Sequence, residues 1–469
     1  MSPLKNTGLS DLPGDSCDSV PNALIWGFAK EFSPIIFKAQ ALGVFSATEW
    51  IGPDTHCTIS RKDFMMSDLT FKHQARLRCP EAIYKQVHAQ FYGYLDMVYR
   101  WNMDNRYDIY DYLNLFNRQL DFYYELLYTR QIDWVIFDRL PHFGADRILY
   151  ELAVAMGLNT LLFFVSIFPG HSFCIYRVED FGHFEAIPQL SVRSALTIPQ
   201  KHEKELPYLC TITNTKYTVA RTVREFLTTQ NPRIFVKYFK YKRYLYWLSQ
   251  FSTRSFDTSQ PFIYFALHYQ PEATTATIGG MFTDQLLAVE RLAACLPVGW
   301  HIAVKENPYQ SEYMRGHVFF DRLRAIANTT LIARDVNTYY LTKHAKFVAT
   351  ITGTVGWEAI TGGKPVLIFG SAWYAGFPGV YQFEEGLDCN AIAATTIDHH
   401  ALEAAYSDRM TKTVPGEISR EMYAVITLDV EKNAETVADS LKTMIDYKTM
   451  IDHKTRPPKT LSPALESVV

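Results

Sequence analysis

The chain has few of the long apolar runs that place a protein in or across a membrane. No stretch of its 469 residues approaches the roughly 18 consecutive apolar residues that a membrane-spanning helix needs. The N-terminal residues, MSPLKNTGLSDLPGDS, contain no apolar core of a secretory signal peptide. Both absences predict a cytoplasmic protein.

Cysteine and histidine occur without the spacings of a metal site or a disulfide framework. The seven cysteines are an odd number and form no C-x-x-C pair. The 14 histidines include one adjacent pair, His399 and His400, and no H-E-x-x-H motif. This scatter indicates reduced thiols and predicts that the protein has no metal site.

Excess charge of either sign is also missing. Lys and Arg number 46 against 49 Asp and Glu, for a net charge of −3. No overall basic field is available to hold a nucleic acid, so a nucleic-acid partner is excluded. The length and the 48% hydrophobic content instead predict two domains, each with its own core.

The most informative segment that is present, residues 261–280, joins an apolar run to a polar loop. Phe262–Leu267 is apolar on both faces, as expected for a strand in a parallel sheet covered by helices. The carboxyl end of such a strand opens onto a ligand crevice. The candidate site residues that follow it are His268, Gln270, Glu272, Thr274 and Thr275. The alternative is a hydrogen-bonded loop that binds nothing.

The pattern of apolar strand, small or polar loop and helix recurs twice downstream. His301–Lys305 runs into a second loop, and Lys346–Ile351 runs into a third. Recurrence at strand ends predicts one shared cleft. The candidate ligand-binding residues of these two loops are Lys305, Asn307, Pro308, Thr352, Gly353, Thr354, Gly356 and Glu358.

The third loop, TGTVG, is predicted to bind a nucleotide phosphate. Its backbone N–H groups would point out of a helix N-terminus, where the positive end of the helix dipole favours an anion. Its spacing is neither G-x-G-x-x-G nor that of a P-loop. Glu358, one turn into the helix, can accept hydrogen bonds from ribose hydroxyls. Ordinary packing of small residues at a strand-to-helix turn is the alternative.

The segment Phe262–Gly370 resembles the capsule polysaccharide biosynthesis family, which includes the β-Kdo transferases. The matching pieces are LHYQPEATT with GG following, DQLLAVERLAACLP, VKENP and TITGTVGWEAITGGKPVLIFG, in that order. The resemblance implies an α/β, GT-B-like fold in which two Rossmann-like domains face a central cleft. It also implies that the C-terminal domain holds the donor, a nucleotide sugar with a CMP-sugar favoured. No permanently bound cofactor is expected.

One position departs from the pattern that this resemblance implies. His-Pro is expected after the second strand, as in related CMP-sugar transferases, but the chain has Asn307 and Pro308. An asparagine can hydrogen-bond a phosphate or a base, but it supplies no titrating imidazole. The departure weakens the donor assignment more than the fold.

The N-terminal half predicts the opposite wall of the cleft. Asp133–Phe137 is a predicted strand, and residues 138–143 follow its carboxyl end. Asp138 or His142 can act as a base toward an acceptor hydroxyl, and Arg139 can bind a carboxylate or phosphate. The alternative is a local ion pair with a helix cap.

Periodicity predicts the remaining elements and a division of the chain. Predicted strands are Ala23–Ala29, Phe45–Trp50 and Thr160–Val165; predicted helices are Ser33–Leu42, Val219–Leu227, Val236–Ser249, Tyr313–Ala327, Glu417–Ile426 and Val430–Ile445, with two long helices in 80–131 interrupted near 101–106. The predicted division is a flexible leader (1–20), an N-terminal acceptor-side domain (21–190), a helical linker (191–258), a C-terminal nucleotide-sugar-binding domain (259–430), and a C-terminal helix with a disordered tail (431–469).

Two aromatic segments have more than one interpretation. The basic and aromatic motif YFKYKRYLYW can lie on a membrane surface or touch an anionic glycan, although a solvated helix face is the simpler account. SAWYAGFPGVYQF suits a loop that closes over a sugar or base, where Tyr374 can stack or hydrogen-bond. Packing of that loop on its neighbours is the alternative.

The sequence as a whole predicts a glycosyltransferase of surface or capsular polysaccharide assembly, with Kdo from CMP-Kdo as one candidate donor and a glycan or glycolipid as acceptor. Glu272 would stabilise a cationic transition state near His268 and Gln270, while Lys305 and the TGTVG amides would stabilise the leaving nucleotide. Peripheral association with a membrane-bound assembly complex at the inner membrane face is left open. Two other classes remain: a nucleotide-sugar epimerase of the same fold, and a non-catalytic glycan-binding assembly protein.

Overall fold

The computed structural model describes residues 20–64, 71–99, 107–191, 198, 218–270, 273–419 and 428–455. Two seven-stranded sheets organise these residues, and helices cover both. Within these ranges no helix is long and apolar enough to cross a membrane.

The first sheet is built from the N-terminal part of the chain. Its elements are β1 (Asn22–Trp26), α1 (Ser33–Ala41), β2 (Ser46–Gly52), β3 (Ile59–Ser60), α2 (Glu81–His88), α3 (Phe91–Tyr99), α4 (Ile109–Thr129), β4 (Trp134–Phe137), α5 (Ala145–Ala155), β5 (Asn159–Val165) and β6 (His171–Ile175). β1 pairs in parallel with β2 on one side and β4 on the other, and β5 continues in parallel beside β4. Residues 23–26 of β1 are fully buried, which explains why this run is apolar on both faces.

The second sheet is parallel throughout. Its elements are α6 (Val219–Thr229), α7 (Arg233–Phe251), β7 (Ser252–Thr253), β8 (Phe262–Ala266), α8 (Ala273–Ile278), α9 (Gln285–Ala294), β9 (His301–Lys305), α10 (His317–Ala325), β10 (Thr329–Ile332), α11 (Thr338–His344), β11 (Val348–Thr350), α12 (Thr354–Thr361), β12 (Val366–Ile368) and β13 (Val380–Gln382). The strand order is β13-β12-β11-β8-β9-β10-β7, with β8 at the centre. Two largely parallel sheets with helical crossovers confirm the predicted GT-B-like fold.

The end of the chain crosses back to the first sheet. The last elements are α13 (Cys389–Ala393), α14 (His399–Thr411), β14 (Thr413–Pro415) and α15 (Val430–Thr455). β14 pairs antiparallel with β6, and α15 packs against α1, where Lys38 Nζ lies 2.7 Å from Glu435 Oε1. The final helix therefore packs on the N-terminal half of the chain.

The structure corrects several predicted elements. Residues 81–129 contain three helices instead of two, because the chain already breaks between α2 and α3 at Ala89 and Gln90; residues 100–106, where the break was predicted, lie outside the described ranges. Residues 273–278 form the short helix α8 where a loop was predicted, and β6 was not predicted. No helix begins at Glu417, since 417–419 are not helical and 420–427 lie outside the described ranges.

Two short strands pair with a sheet outside the region to which the predicted division of the chain assigns them. β7, in the predicted linker, pairs in parallel with β10 of the second sheet. β14, in the predicted second domain, completes the first sheet. Short edge strands such as these are placed by their pairing partners, which the local sequence does not reveal. Most of the predicted leader, most of residues 192–217 and the tail from 456 lie outside the described ranges.

An aromatic cluster joins the two sheets' units. The ring of Phe168, which follows β5, lies 5.2 Å from that of Trp373 and 6.0 Å from that of Trp357, centroid to centroid. Its third neighbour is Tyr406 on α14, at 5.1 Å. Edge-to-face contacts of this kind favour one relative orientation, and they hold the units beside each other next to α12.

Candidate active site

Both sheets reverse their strand order at one point, and these points define the candidate site. In the second sheet β8 lies between β9 and β11, and in the first sheet β1 lies between β2 and β4. Loops that leave neighbouring strands at such a point diverge and open a crevice at the carboxyl ends. Thr277 Oγ1 on α8 donates a hydrogen bond to the carbonyl of Pro141, which follows β4, at 2.5 Å. The strand-end loops of the two sheets are therefore in contact at this point.

His268, directly after β8, holds the loop that follows β11. Its Nε2 lies 3.0 Å from Thr350 Oγ1 and accepts a hydrogen bond from the backbone N–H of Thr352 at 3.1 Å. Because Nε2 accepts this bond, the imidazole is neutral and carries its proton on Nδ1. The residue is only 7% exposed. Its imidazole therefore fixes the backbone of the predicted phosphate loop from within the protein.

The TGTVG loop forms the N-terminus of α12, as predicted. Gly353 is the N-cap residue and offers no side-chain cap to the first turn. Within this turn the N–H of Gly356 donates to the carbonyl of Gly353 at 3.0 Å. A helix N-terminus favours an anion, because the positive end of the helix dipole lies there. Thr352 adds a buried hydroxyl that has no hydrogen-bond partner among the described residues. Thr354 and Glu358 lie in the first and second turns of the same helix and are partly exposed.

Tyr374 supports this helix N-terminus from beneath. It is fully buried, and its hydroxyl donates a hydrogen bond to the carbonyl of Gly353. A Cβ atom at Gly356 would lie 2.2 Å from Tyr374 Oη, so only glycine leaves room for the tyrosine side chain at this position. The buried ring corrects the expectation that Tyr374 stacks on a ligand.

Gly356→Ala is expected to lower the free energy of unfolding by about 1–3 kcal/mol, because the new methyl group overlaps Tyr374 Oη. Urea unfolding of the variant measures the loss. Gly93→Ala is the matched control, since a Cβ at Gly93 on α3 meets nothing within 4 Å. There the same change should raise the stability by up to about 1 kcal/mol. An unchanged Gly356→Ala protein would contradict this packing.

Lys305 ends β9 on the other side of β8. The residue is 5% exposed, and its Nζ donates to Thr338 Oγ1 at 2.9 Å. Burial, assisted by nearby Arg334, lowers the pKa of Lys305 to about 8, although Asp335 opposes the shift. An ammonium in such a setting gains from an anionic ligand that neutralises it.

Asn307 and Pro308 form a tight turn after β9. Asn307 Oδ1 accepts a hydrogen bond from the N–H of Tyr309 at 2.9 Å, and the carbonyl of Asn307 accepts one from the N–H of Gln310 at 3.0 Å. Pro308 is exposed. The asparagine side chain therefore stabilises its own turn through its oxygen, and its amide nitrogen is the group that could reach a ligand.

Gln270 belongs to a buried polar network that ties three loops together. Arg315 Nε lies 2.7 Å from Glu306 Oε2, and Arg315 Nη1 donates to Gln270 Oε1 at 2.9 Å. Gln310 Oε1 accepts from the backbone N–H of Gln270 at 2.7 Å, and Gln270 Nε2 donates to the carbonyl of Thr283 at 2.8 Å. Gln270 thus uses both ends of its amide within the protein, so its observed contacts position the loops around β8.

The loop after β8 is short and partly helical. Thr275 on α8 is 1% exposed, and its carbonyl accepts bonds from Gly279 N at 3.1 Å and Thr283 Oγ1 at 2.9 Å. Thr274 is partly exposed on the same helix. Glu272, the predicted stabiliser of a cationic centre, lies outside the described residues.

On the first sheet, Asp138 stabilises the turn after β1. Its Oδ2 accepts from the N–H of Phe28 at 3.1 Å, and Oδ1 lies 3.1 Å from Arg139 Nε. Gly27 has a φ of 91°, and a Cβ there would lie 2.1 Å from the Asp138 carboxyl carbon. Asp138 is 3% exposed. Its carboxylate is bound by this turn and by Arg139, which is the local ion pair that the sequence offered as the alternative to a catalytic base.

His142 is oriented by a hydrogen bond from one of its two ring nitrogens. Its Nδ1 lies 2.7 Å from the carbonyl of Leu140, which can only accept, so Nδ1 carries a proton and Nε2 is the nitrogen that a general base would use. The N–H of His142 donates to Asp146 Oδ2 at 2.8 Å, which fixes the backbone. This residue lies beside Pro141, the point at which the two loops meet.

Sequence reasoning missed Arg61, Arg315 and Gln310. Arg61 follows β3, and its guanidinium lies 5.4 Å from the ring centroid of Phe143. Burial lowers the pKa of Arg61, although the carboxylate of Asp138 opposes the shift. No local motif marks these residues, because each contact joins loops that are distant in sequence. Among the described residues, no cluster of three or more His, Cys, Asp or Glu side chains could hold a metal ion.

The architecture and the cleft define a GT-B-like α/β protein. Residues 276–414, from α8 to β14, match the sequence model of a family described as capsule polysaccharide biosynthesis protein. The resemblance drawn from the DQLLAVERLAACLP, VKENP and TGTVG segments is thereby confirmed over that region, whereas LHYQPEATT, at residues 267–275, lies just before it. No curated protein sequence matches the chain.

Solved structures with similar folds include sugar-transfer and sugar-epimerising enzymes. The chain resembles "KpsC, beta Kdo 2,7 transferase" of Thermosulfurimonas dismutans with 14% identity and a TM-score of 0.31, covering 60% of this chain and 78% of the other. The "beta Kdo 2,4 transferase" of the same organism gives 14% identity and a TM-score of 0.27, over 58% and 79%. The UDP-GlcNAc 2-epimerase of Methanocaldococcus jannaschii gives 12% identity and a TM-score of 0.23, over 92% and 99%.

Proposed function

We propose that the protein is a glycosyltransferase of capsular polysaccharide biosynthesis that moves a sugar from a nucleotide donor to a glycan or lipid-linked acceptor. The observation that carries the proposal is the crevice at β8, where the α12 N-terminus and Lys305 flank a loop that touches the opposite sheet at Pro141. The family match over residues 276–414 supports the same assignment. Kdo from CMP-Kdo is the donor to test first, because the resemblance of this segment implies it.

The donor phosphate would lie between β11 and β9. On one side the phosphate would face the N-terminus of α12, which is the positive end of the helix dipole, and the hydroxyl of Thr352, which has no hydrogen-bond partner among the described residues. The buried ammonium of Lys305 supplies positive charge on the other. The nucleotide leaves as an anion, so donors fixed in place before the reaction stabilise the charge that develops in the transition state.

The acceptor would approach from the first sheet. His142 lies beside the contact between the two loops, and its Nε2 would take the proton from an acceptor hydroxyl. Asp138 is engaged with Phe28 and Arg139, which supports a positioning role for its carboxylate instead. Glu272 remains the candidate for stabilising positive charge at the anomeric carbon, because it lies in the sequence between β8 and α8.

Ligand-induced thermal stabilisation tests the donor site. We expect CMP to raise the melting temperature of the wild-type protein, because a ligand that binds only the folded state stabilises it. Thr354→Trp, at the first position of α12, should abolish this rise by filling the phosphate position. Thr396→Trp is the matched control at an exposed position outside the site and should keep the rise.

The pattern of responses separates the alternatives. Stabilisation by UDP instead of CMP would keep the fold and the site but change the donor class. Conversion of a nucleotide sugar without any acceptor would identify an epimerase. No response to CMP, CDP, UDP, GDP or their sugar conjugates would overturn the proposal in favour of a non-catalytic glycan-binding protein.

A further inference from the structure

The helical hairpin of α6 and α7 presents apolar side chains to solvent. On α7 the outward residues include Val236, Phe239 and Tyr246, with Phe239 66% and Tyr246 58% exposed. Spacings of three, seven and ten residues bring such positions onto one face of a helix. On α6 a second stripe, at intervals of four residues, consists of Val219, Val223 and Leu227. Single exposed apolar residues are ordinary, but six on one hairpin form a surface feature.

The opposite face of α7 is fixed against the second sheet's unit. Tyr244 and Leu248 are buried, and the ring of Tyr244 lies 6.3 Å from that of Phe320 on α10. Phe251 stacks on the same Phe320 ring at 5.7 Å. This packing determines which face of α7 is turned to the protein. Phe239 and Tyr246 lie on the opposite face and are therefore exposed.

The hairpin carries a strong positive charge in a chain that is slightly acidic. Residues 219–251 contain one acidic residue, Glu225, against the basic residues Arg221, Arg224, Arg233, Lys237, Lys240, Lys242 and Arg243. The whole chain has a net charge of −3. A helix with exposed aromatic and aliphatic side chains among lysine and arginine is the pattern of a segment that lies in the interface of an anionic bilayer.

We propose that the α6–α7 hairpin docks the protein on an anionic phospholipid surface through Val236, Phe239 and Tyr246 on α7, with the surrounding basic side chains facing the lipid headgroups. The hairpin would lie on the bilayer without crossing it, since no helix of the described residues is long and apolar enough to span one. Lipid charge complements the basic hairpin, whereas a second copy of the chain would bring two basic surfaces together.

The amino-terminal part of α7 lies near the loop that follows β9, the strand that ends at Lys305. Lys237 and Lys240 act electrostatically on Glu312, which belongs to the loop between β9 and α10. Docking through α7 would therefore hold the mouth of the cleft near the bilayer, where a lipid-linked acceptor is found. This consequence rests on the proposed function, whereas attachment of the protein to lipid does not.

Flotation with lipid vesicles tests the docking of the full chain. We expect the protein to bind vesicles of phosphatidylcholine containing one third phosphatidylglycerol, and to bind pure phosphatidylcholine at least about tenfold less. The double variant Phe239→Asp, Tyr246→Asp should weaken binding by about tenfold or more, because it removes the inserted apolar area. Lys242→Gln and Arg243→Gln should each weaken it about fivefold and reduce its salt dependence.

Val298→Asp is the matched control, since Val298 is fully exposed outside the hairpin, and it should bind vesicles like the wild type. Circular dichroism and nucleotide-induced stabilisation of each variant establish that the fold and the donor site are intact. Equal binding of wild type and the double variant would overturn the proposal, as would equal binding to charged and neutral vesicles. Absence of vesicle binding together with a wild-type dimer that the double variant abolishes would assign the face to a second copy of the chain instead.

Discussion

Replacing Arg315 with methionine is expected to lower the free energy of unfolding by about 3–5 kcal/mol, because the change leaves the Glu306 carboxylate buried without its cation. The two side chains are 1% and 0% exposed, and Arg315 Nε lies 2.7 Å from Glu306 Oε2. The arginine also donates to Gln270 Oε1, so the amide oxygen loses a charge-assisted bond as well. Urea unfolding followed by tryptophan fluorescence measures the loss.

Two further variants test whether the loss comes from burial of the Arg315–Glu306 pair or from the removal of any paired arginine. Arg322→Met removes a guanidinium that also bonds two carboxylates, those of Glu290 and Asp284, but its side chain is 36% exposed. That change should cost no more than about 1 kcal/mol. The double variant Arg315→Met, Glu306→Leu should recover much of the loss, since no unpaired charge is then left behind. A loss for Arg315→Met as small as that for Arg322→Met would show that the pair is not desolvated.

The sequence was sufficient to predict the strands that point at the site. Phe262–Leu267 and the centre of His301–Lys305 are apolar because both faces of a parallel sheet are covered, and the structure confirms these runs as β8 and β9. The helix after TGTVG was predictable because small residues between a strand and a helix are a local sequence signal of a tight turn. The fold class and the family resemblance followed from these segments.

The remaining features depend on contacts that no local pattern encodes. α8 reads as a loop because its threonines are poor helix formers, and its Thr277 gains a bond to Pro141 across the cleft. β6 was missed because its five residues pair antiparallel with β5 directly after a turn, so no crossover helix precedes this strand. The bond between Arg315 and Gln270 spans 45 residues, so the sequence gives no sign that Gln270 is held inside the protein.

Replacing Lys305 with methionine is expected to act in opposite directions on stability and on nucleotide binding. Burial lowers the pKa of Lys305 to about 8, so between about pH 8 and 10 the unfolded chain binds more protons than the folded protein. The free energy of unfolding therefore rises with pH in this window, by about 3 kcal/mol from this group, and the cost of the buried charge is fully present below it. Lys305→Met should remove the rise and stabilise the protein at pH 7 by about 1–3 kcal/mol.

The same variant should bind nucleotide about 10- to 100-fold more weakly, because it loses a charge-assisted bond to the phosphate. Calorimetric titration with CMP measures this loss, and wild-type affinity should itself fall as pH rises through about 8, when the lysine loses its proton. Lys346→Met is the matched control, because Lys346 is exposed at the amino end of β11, and neither quantity should change. A less stable Lys305→Met protein with unaltered CMP affinity would mean that Lys305 serves the fold through Thr338 and not the donor. A more stable protein that binds CMP poorly would mean that a buried positive charge is retained at a cost to stability because the nucleotide requires it.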